Sequence, residues 1–197
     1  MKKAVVWILS LGMVLGMTAC SSEPAVQADE DQEVSAQTET IEETDPVKLA
    51  TTLDAKVSTG IKMSNRLLDS MINHGAEYVE GNMSAKDYAD SVVKSEKIAE
   101  DLVDDIEEYL SDQDCGDYAE TAIMAMKNVW SIHYSMLGYM DGSDEDGLEH
   151  ASVGIKCQPG YISDVEIARH DYLASVGITE EEIAEIVTSK PLMDNAE

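Results

Sequence analysis

The sequence predicts an all-α protein: a bundle of about four to six helices behind an N-terminal targeting segment and an acidic linker. Three observations carry that prediction. Apolar side chains recur at alternating spacings of four and three through most of the chain from Leu53 onward. Breaks containing Gly, Asn or Pro divide this pattern, and several are followed by Ser or Thr with an acid three residues on. No stretch alternates convincingly with period two, although Val153, Ile155 and Ile162, within 151–167, would also suit short strands.

The first helical stripe runs through Leu53, Val57, Gly60, Ser64, Leu67, Met71, His74 and Tyr78, widened by Ile61, Leu68, Ile72, Gly75 and Val79. Gly81-Asn82 stops it. Ser84 and Asp87 then form a capping-box variant that starts a second helix, with Tyr88, Val92, Ser95, Ala99, Leu102, Ile106 and Tyr109 on its apolar face. Two such helices joined by a short turn make an antiparallel hairpin. The third helix, Asp117 to Met140, carries two adjacent apolar stripes and a single basic residue, Lys127. A helix apolar over most of its circumference is packed on several sides, so it is expected at the centre. A turn at "DGSDEDG" leads to a shorter helix near 144–156, "QPGY" marks another turn, and Ile162, Val165, Ala168, Tyr172, Leu173 and Val176 give a further helical face. Thr179 and Glu182 form a capping box before a last helix holding Ile183, Ile186 and Val187.

The N-terminus has another character. Lys2 and Lys3 precede an almost unbroken apolar run, Ala4 to Leu15, and small residues lead into Cys20. These are the charged, apolar and cleavage regions of an export signal. About 12 apolar residues are too few to span a hydrocarbon core of about 30 Å. The ending Met17-Thr18-Ala19-Cys20 resembles the lipobox of bacterial lipoproteins, with Met17 where that family more often has Leu. The resemblance implies that residues 1–19 are a signal peptide, that Cys20 is lipidated and becomes the first residue, and that the chain is held on the extracytoplasmic face of the cell membrane. A diacyl modification suffices for stable anchoring.

Residues 20–46 follow as a linker, "SSEPAVQADEDQEVSAQTETIEETDP" after the cysteine, with no Lys, Arg or aromatic residue. Such a segment buries too little apolar surface to offset its chain entropy and is expected to be disordered. As a coil of about 25 residues it would hold the helical domain, 47–197, roughly 25–30 Å from the membrane. The whole chain has 13 basic and 40 acidic residues, a net charge of −27. A body so acidic is repelled by phosphate, which excludes nucleic acid as a partner and leaves membrane attachment to the lipid.

Two cysteines remain, Cys115 before the third helix and Cys157 after the fourth. Outside the cytoplasm they are candidates for a disulfide closing a loop of about 40 residues, worth roughly 3–4 kcal/mol, the alternative being two separate thiols. His133, Met136 and Met140 fall at i, i+3 and i+7, a helical spacing at which imidazole and thioether ligands suit Cu(I). Core packing explains the same residues, because Met fills gaps in apolar helices. Glu166, His170 and Asp171 have the composition of half a metal site or of a surface hydrogen-bonded group. The acids of 141–147 lack EF-hand spacing, leaving only loose Ca²⁺ binding to that turn. No phosphate cradle, His-Glu-x-x-His helix or Gly-x-Ser-x-Gly elbow is present, and no cofactor is called for. The sequence therefore leads to a tethered, non-catalytic module binding a protein or small ligand, with a metal-handling (Cu or Ca) lipoprotein as the alternative.

Overall fold

The structure, a computed structural model, describes residues 45–194. Cys20, the signal segment and all but the last residues of the linker lie outside the described residues. Five helices follow in order: α1 (Pro46–Val79), α2 (Ala85–Leu110), α3 (Asp117–Asp141), α4 (Gly147–Ser175) and α5 (Glu180–Ser189). The described residues contain no strand, and none of their helices is long and apolar enough to cross a membrane.

Local chemistry fixes the boundaries. Asp45 caps α1 by accepting from the Val47 N–H at 3.0 Å, with Pro46 in the first turn, where its missing N–H costs nothing. Gly81, at φ 80°, turns the chain out of α1. Ser84 caps α2 through the Asp87 N–H, and Thr179 with Glu182 forms the full reciprocal box at α5.

Side-chain pairs give the topology. Tyr78 meets Tyr88 and Lys56 lies over the Tyr109 ring, so α1 and α2 are antiparallel. Trp130 Nε1 donates to Glu96, and Lys127 pairs with Glu107. Asn128 bonds Gln158 on α4, and Asn65 and Asp54 on α1 meet Gln158 and Arg169. The result is an up-down-up-down bundle in which α3 contacts α1, α2 and α4, the central place its double stripe predicts. One apolar cluster around Leu53, Ile106, Tyr118 and Met126 fills one half of the bundle, and another around Leu68, Val92, Val129 and Ile132 fills the other.

The largest departure from the sequence reading is α4. A short helix, a turn at "QPGY" and a second helical face are in fact one helix of 29 residues with Pro159 inside it. Proline removes a helix hydrogen bond and crowds the carbonyl four residues back, which is why the segment reads as a turn. Tertiary contacts on both sides of Pro159 outweigh that cost, with Ile162 and Val165 buried in the core beyond it. Asn128 donates to the Gly154 carbonyl and to Gln158 Oε1, and Gln158 donates in turn to Asn65 Oδ1 at 2.8 Å. Gly154 also lets α4 close on Ile132, whose Cγ1 would lie 2.5 Å from a Cβ there.

The unbroken α4 also removes the expected disulfide. Cys115 and Cys157 are both free, the first buried and the second exposed. Cys115 neighbours Ala168 and Tyr172 at the far end of α4, whereas Cys157 lies beside Asn128 and Ile132. Eleven or more residues of helix, at about 1.5 Å each, separate Cys157 from the end where Cys115 lies, well beyond disulfide reach.

Candidate functional site

Two concavities of similar size occupy opposite ends of the bundle. One, of about 780 Å³, is lined by Asp114, Asp117, Asp164 and Asp171 together with Cys115, Tyr118 and Tyr172. Its Tyr118 hydroxyl is already committed. Tyr118 stacks on Tyr172 with centroids 5.6 Å apart and donates its hydroxyl to buried Asp54 at 2.9 Å. Burial raises the Tyr118 phenol and, more weakly, the Cys115 thiol, so both stay protonated at neutral pH.

The other concavity, of about 770 Å³, is a mouth formed where α1 ends, α2 begins, α3 ends and α4 begins. Its wall is aromatic, thioether and aliphatic: Tyr78, Tyr88, Tyr139, Met136, Met140 and Leu148. Glycines shape it. A Cβ at Gly75 would sit 3.2 Å from the Tyr88 hydroxyl, so glycine there lets the Tyr88 ring lie across α1. Tyr78, one turn further on, stacks on that ring at 5.5 Å with planes 10° apart. Gly147 is buried against the Ser135 carbonyl, bringing the start of α4 close to α3 and Leu148 into the wall beside Tyr139. The wall is unusually open for such residues: Tyr78, Val79, Tyr139 and Leu148 expose 44, 83, 47 and 48% of their surface. Apolar area left in water at the rim of a cavity contributes nothing to folding and is available to a ligand.

The structure does not bring the expected metal ligands together. Met136 and Met140 line the mouth, but His133 is fully buried deeper in α3. His133 Nδ1 donates to the Val129 carbonyl at 2.9 Å, and among the described residues no group meets Nε2 in good hydrogen-bond geometry. Nor do the acids of the α3–α4 turn converge. Asp141 accepts from the Ser143 N–H, while Asp144 accepts from the Asp146 N–H and meets His150. Among the described residues, no group of three or more His, Cys, Asp or Glu is placed to hold a metal ion. His170 reaches Glu180 at 2.9 Å and Asp171 at 3.6 Å, tying α4 to the start of α5, and Glu166 takes no part.

The two histidines make stability depend on pH in opposite directions. Desolvation pushes the His133 pKa down, against the pull of the Val129 and Leu67 carbonyls and Glu96. The unfolded chain then takes up a proton below about pH 6.5 that the folded chain refuses, so stability falls as pH drops below that value. Glu180 and Asp171 raise the His170 pKa, a stabilisation complete below about pH 6.5 and lost as pH rises through the folded value. In thermal melts from pH 7 to pH 5.5 the His133 contribution is a downward slope in stability as pH falls, on which the opposite contribution of His170 is superimposed. His133→Leu should remove that contribution, and an unchanged slope would assign it to other groups.

Sequence reasoning placed Tyr78, Tyr88, Met136 and Met140 on packed stripes and missed that their helix ends meet in an open mouth. It also missed the Asp54–Arg169–Tyr118 network, because single polar residues at helical spacing carry no mark of their distant partners. No protein-family model matches the chain, and neither the curated proteins nor the solved structures give a match.

Proposed function

We propose that this chain is a lipid-anchored, extracytoplasmic binding module, non-catalytic, that takes an apolar ligand in the mouth between the ends of α1–α4. One observation carries the reading: a concavity of about 770 Å³ walled by three tyrosines, two methionines and a leucine, several of them half exposed. Small-ligand sites have this size and this mainly apolar lining. The thioethers and aromatic faces offer adaptable, polarisable contact, suited to holding a ligand. Cys20 and the acidic linker support the cellular setting, since a lipid and a charged tether would keep the mouth near the membrane and free to turn.

The test uses the mature chain, residues 20–197, carrying Cys20→Ser so that it needs no detergent. N-phenyl-1-naphthylamine should bind once per chain with enhanced emission. Ala89→Trp, which fills the mouth from α2, should weaken that binding by at least about tenfold, as expected when an apolar pocket is blocked. Equal binding by both proteins would place the dye elsewhere and overturn the reading.

A further inference from the structure

We infer that the ligand of the mouth is an organic cation, an ammonium carried on an apolar body. This rests on the proposed binding function and adds the ligand's chemical class. The first observation is the wall itself. Tyr78, Tyr88 and Tyr139 line one concavity together with Met136 and Met140, and the Tyr78–Tyr88 stack leaves one face of each of those two rings uncovered by the other. Aromatic faces attract cations through their quadrupole, most strongly where water is partly excluded, and a cage of aromatic side chains suits an alkylammonium group.

The second observation is independent of the first and concerns charge. Glu77, Glu80, Asp87, Asp141 and Glu149 each adjoin a lining residue in sequence, and all are exposed. Counted over residues 75–90 and 136–149, the segments that build the mouth, there are nine carboxylates and one basic residue, Lys86. Over all the described residues the balance is 31 acidic to 11 basic, so the mouth is about three times more one-sided than the domain as a whole. Lys86 is itself bound by Asp90, one helical turn away, and so leaves the excess intact. Among the described residues neither Asp87 nor Glu149 forms an ion pair with a lysine or arginine, although Lys86 also feels the Asp87 charge, whereas Lys97 and Lys127 pair with acids further along the bundle. A low-dielectric concavity ringed by one sign of charge focuses the field and raises the local concentration of the opposite sign. An apolar body seats against the aromatic and thioether wall, and the ammonium lies over a tyrosine face, held by the negative charge of the segments that build the mouth. An anionic amphiphile would place its head group among those carboxylates.

Three probes with one hydrocarbon body separate the alternatives: octyltrimethylammonium, 1-octanol and octanoate. Each is titrated into the mature Cys20→Ser chain by displacement of N-phenyl-1-naphthylamine, so that only occupancy of the mouth is read. The cation should displace the dye about tenfold more tightly than 1-octanol, the range expected for a partly desolvated ammonium at an aromatic face. Octanoate should be the weakest. Raising salt should weaken the cation and leave 1-octanol unchanged. Tyr139→Leu should cut the preference for the cation while retaining 1-octanol, and Tyr78→Leu, on α1, provides the same reading from a second exposed position. Cation and alcohol binding equally, octanoate binding best, or a cation that binds the acidic surface without displacing the dye would each overturn the cation class and leave the binding mouth standing. Failure of all three probes, and of the dye itself, would overturn the binding function together with it.

Discussion

Arg169→Met is expected to lower the free energy of unfolding by about 3–5 kcal/mol, the usual cost of removing one partner from a buried ion pair. Both side chains of the Asp54–Arg169 pair are fully buried. Arg169 grips the carboxylate with two prongs, Nε to Oδ1 at 2.6 Å and Nη2 to Oδ2 at 2.8 Å. Tyr118 donates to the same Oδ1 at 2.9 Å, and Arg169 Nη1 spends its remaining reach on the Lys190 carbonyl. Truncating the arginine leaves a buried carboxylate with one neutral donor, and a carbonyl with none. The double variant Asp54→Leu/Arg169→Met should recover much of the loss, because well-packed apolar replacements of an ion pair are often neutral. Recovery should stay incomplete, since the Tyr118 hydroxyl and the Lys190 carbonyl remain without partners. Urea unfolding of the three proteins, followed by circular dichroism, measures this directly. A loss below about 1 kcal/mol in the single variant would mean that water reaches the pair.

Leu192→Ala should cost about 2–5 kcal/mol, the range for emptying a buried leucine site. Residues 190–194, beyond α5, run back over the bundle as a strap. Leu192 is fully buried in the cluster around Leu53 and Tyr118. Its carbonyl accepts from Asn65 Nδ2 at 3.2 Å, while Lys62 and Arg66 both reach Asp194 at 2.6 Å. Those two exposed pairs hold the Asp194 carboxyl at about 2, well below the usual carboxylate range, but exposed pairs add little to stability. The weight of the strap rests on the leucine. Arg169 and Leu192 act on the same segment through Lys190, so their losses should not add in the double variant. Strict additivity in urea unfolding would show that the strap and the ion pair are energetically separate.

Much of this fold is legible in the sequence because helix chemistry is local. The four-three stripes of α1, α2 and α3 name their buried faces, and Ser84 and Thr179 mark helix starts by hydrogen bonds to residues three along, whereas the Asp45 cap of α1 goes unmarked among the acids of the linker. The double stripe of α3 announces contact with several neighbours, and the structure surrounds it with α1, α2 and α4. What escaped the sequence is long-range. Pro159 and Gly160 speak locally for a turn, and partners distant in sequence, among them Asn128 and Asn65, 30 and 93 residues from Gln158, hold the helix in place. The Cys115–Cys157 expectation failed with the helix boundary on which it depended. His133, Met136 and Met140 share a helical spacing, yet about one turn of helix divides a sealed core position from an open mouth. The mouth itself is the meeting of four helix ends, and no single stretch of sequence contains it.

A ligand seated in the mouth, and nowhere else on the domain, should be visible in the methionine methyl resonances. The chain from residue 20 onward, carrying Cys20→Ser and labelled with ¹³C at the methionine methyls, has two reporters in the mouth, Met136 and Met140, and three exposed reporters away from it, Met63, Met124 and Met193. Titration with octyltrimethylammonium should move or broaden the Met136 and Met140 signals saturably and leave the other three in place. Shifts concentrated at Met63, Met124 or Met193, with Met136 and Met140 unmoved, would contradict the account and send the search for the ligand to another face of the bundle.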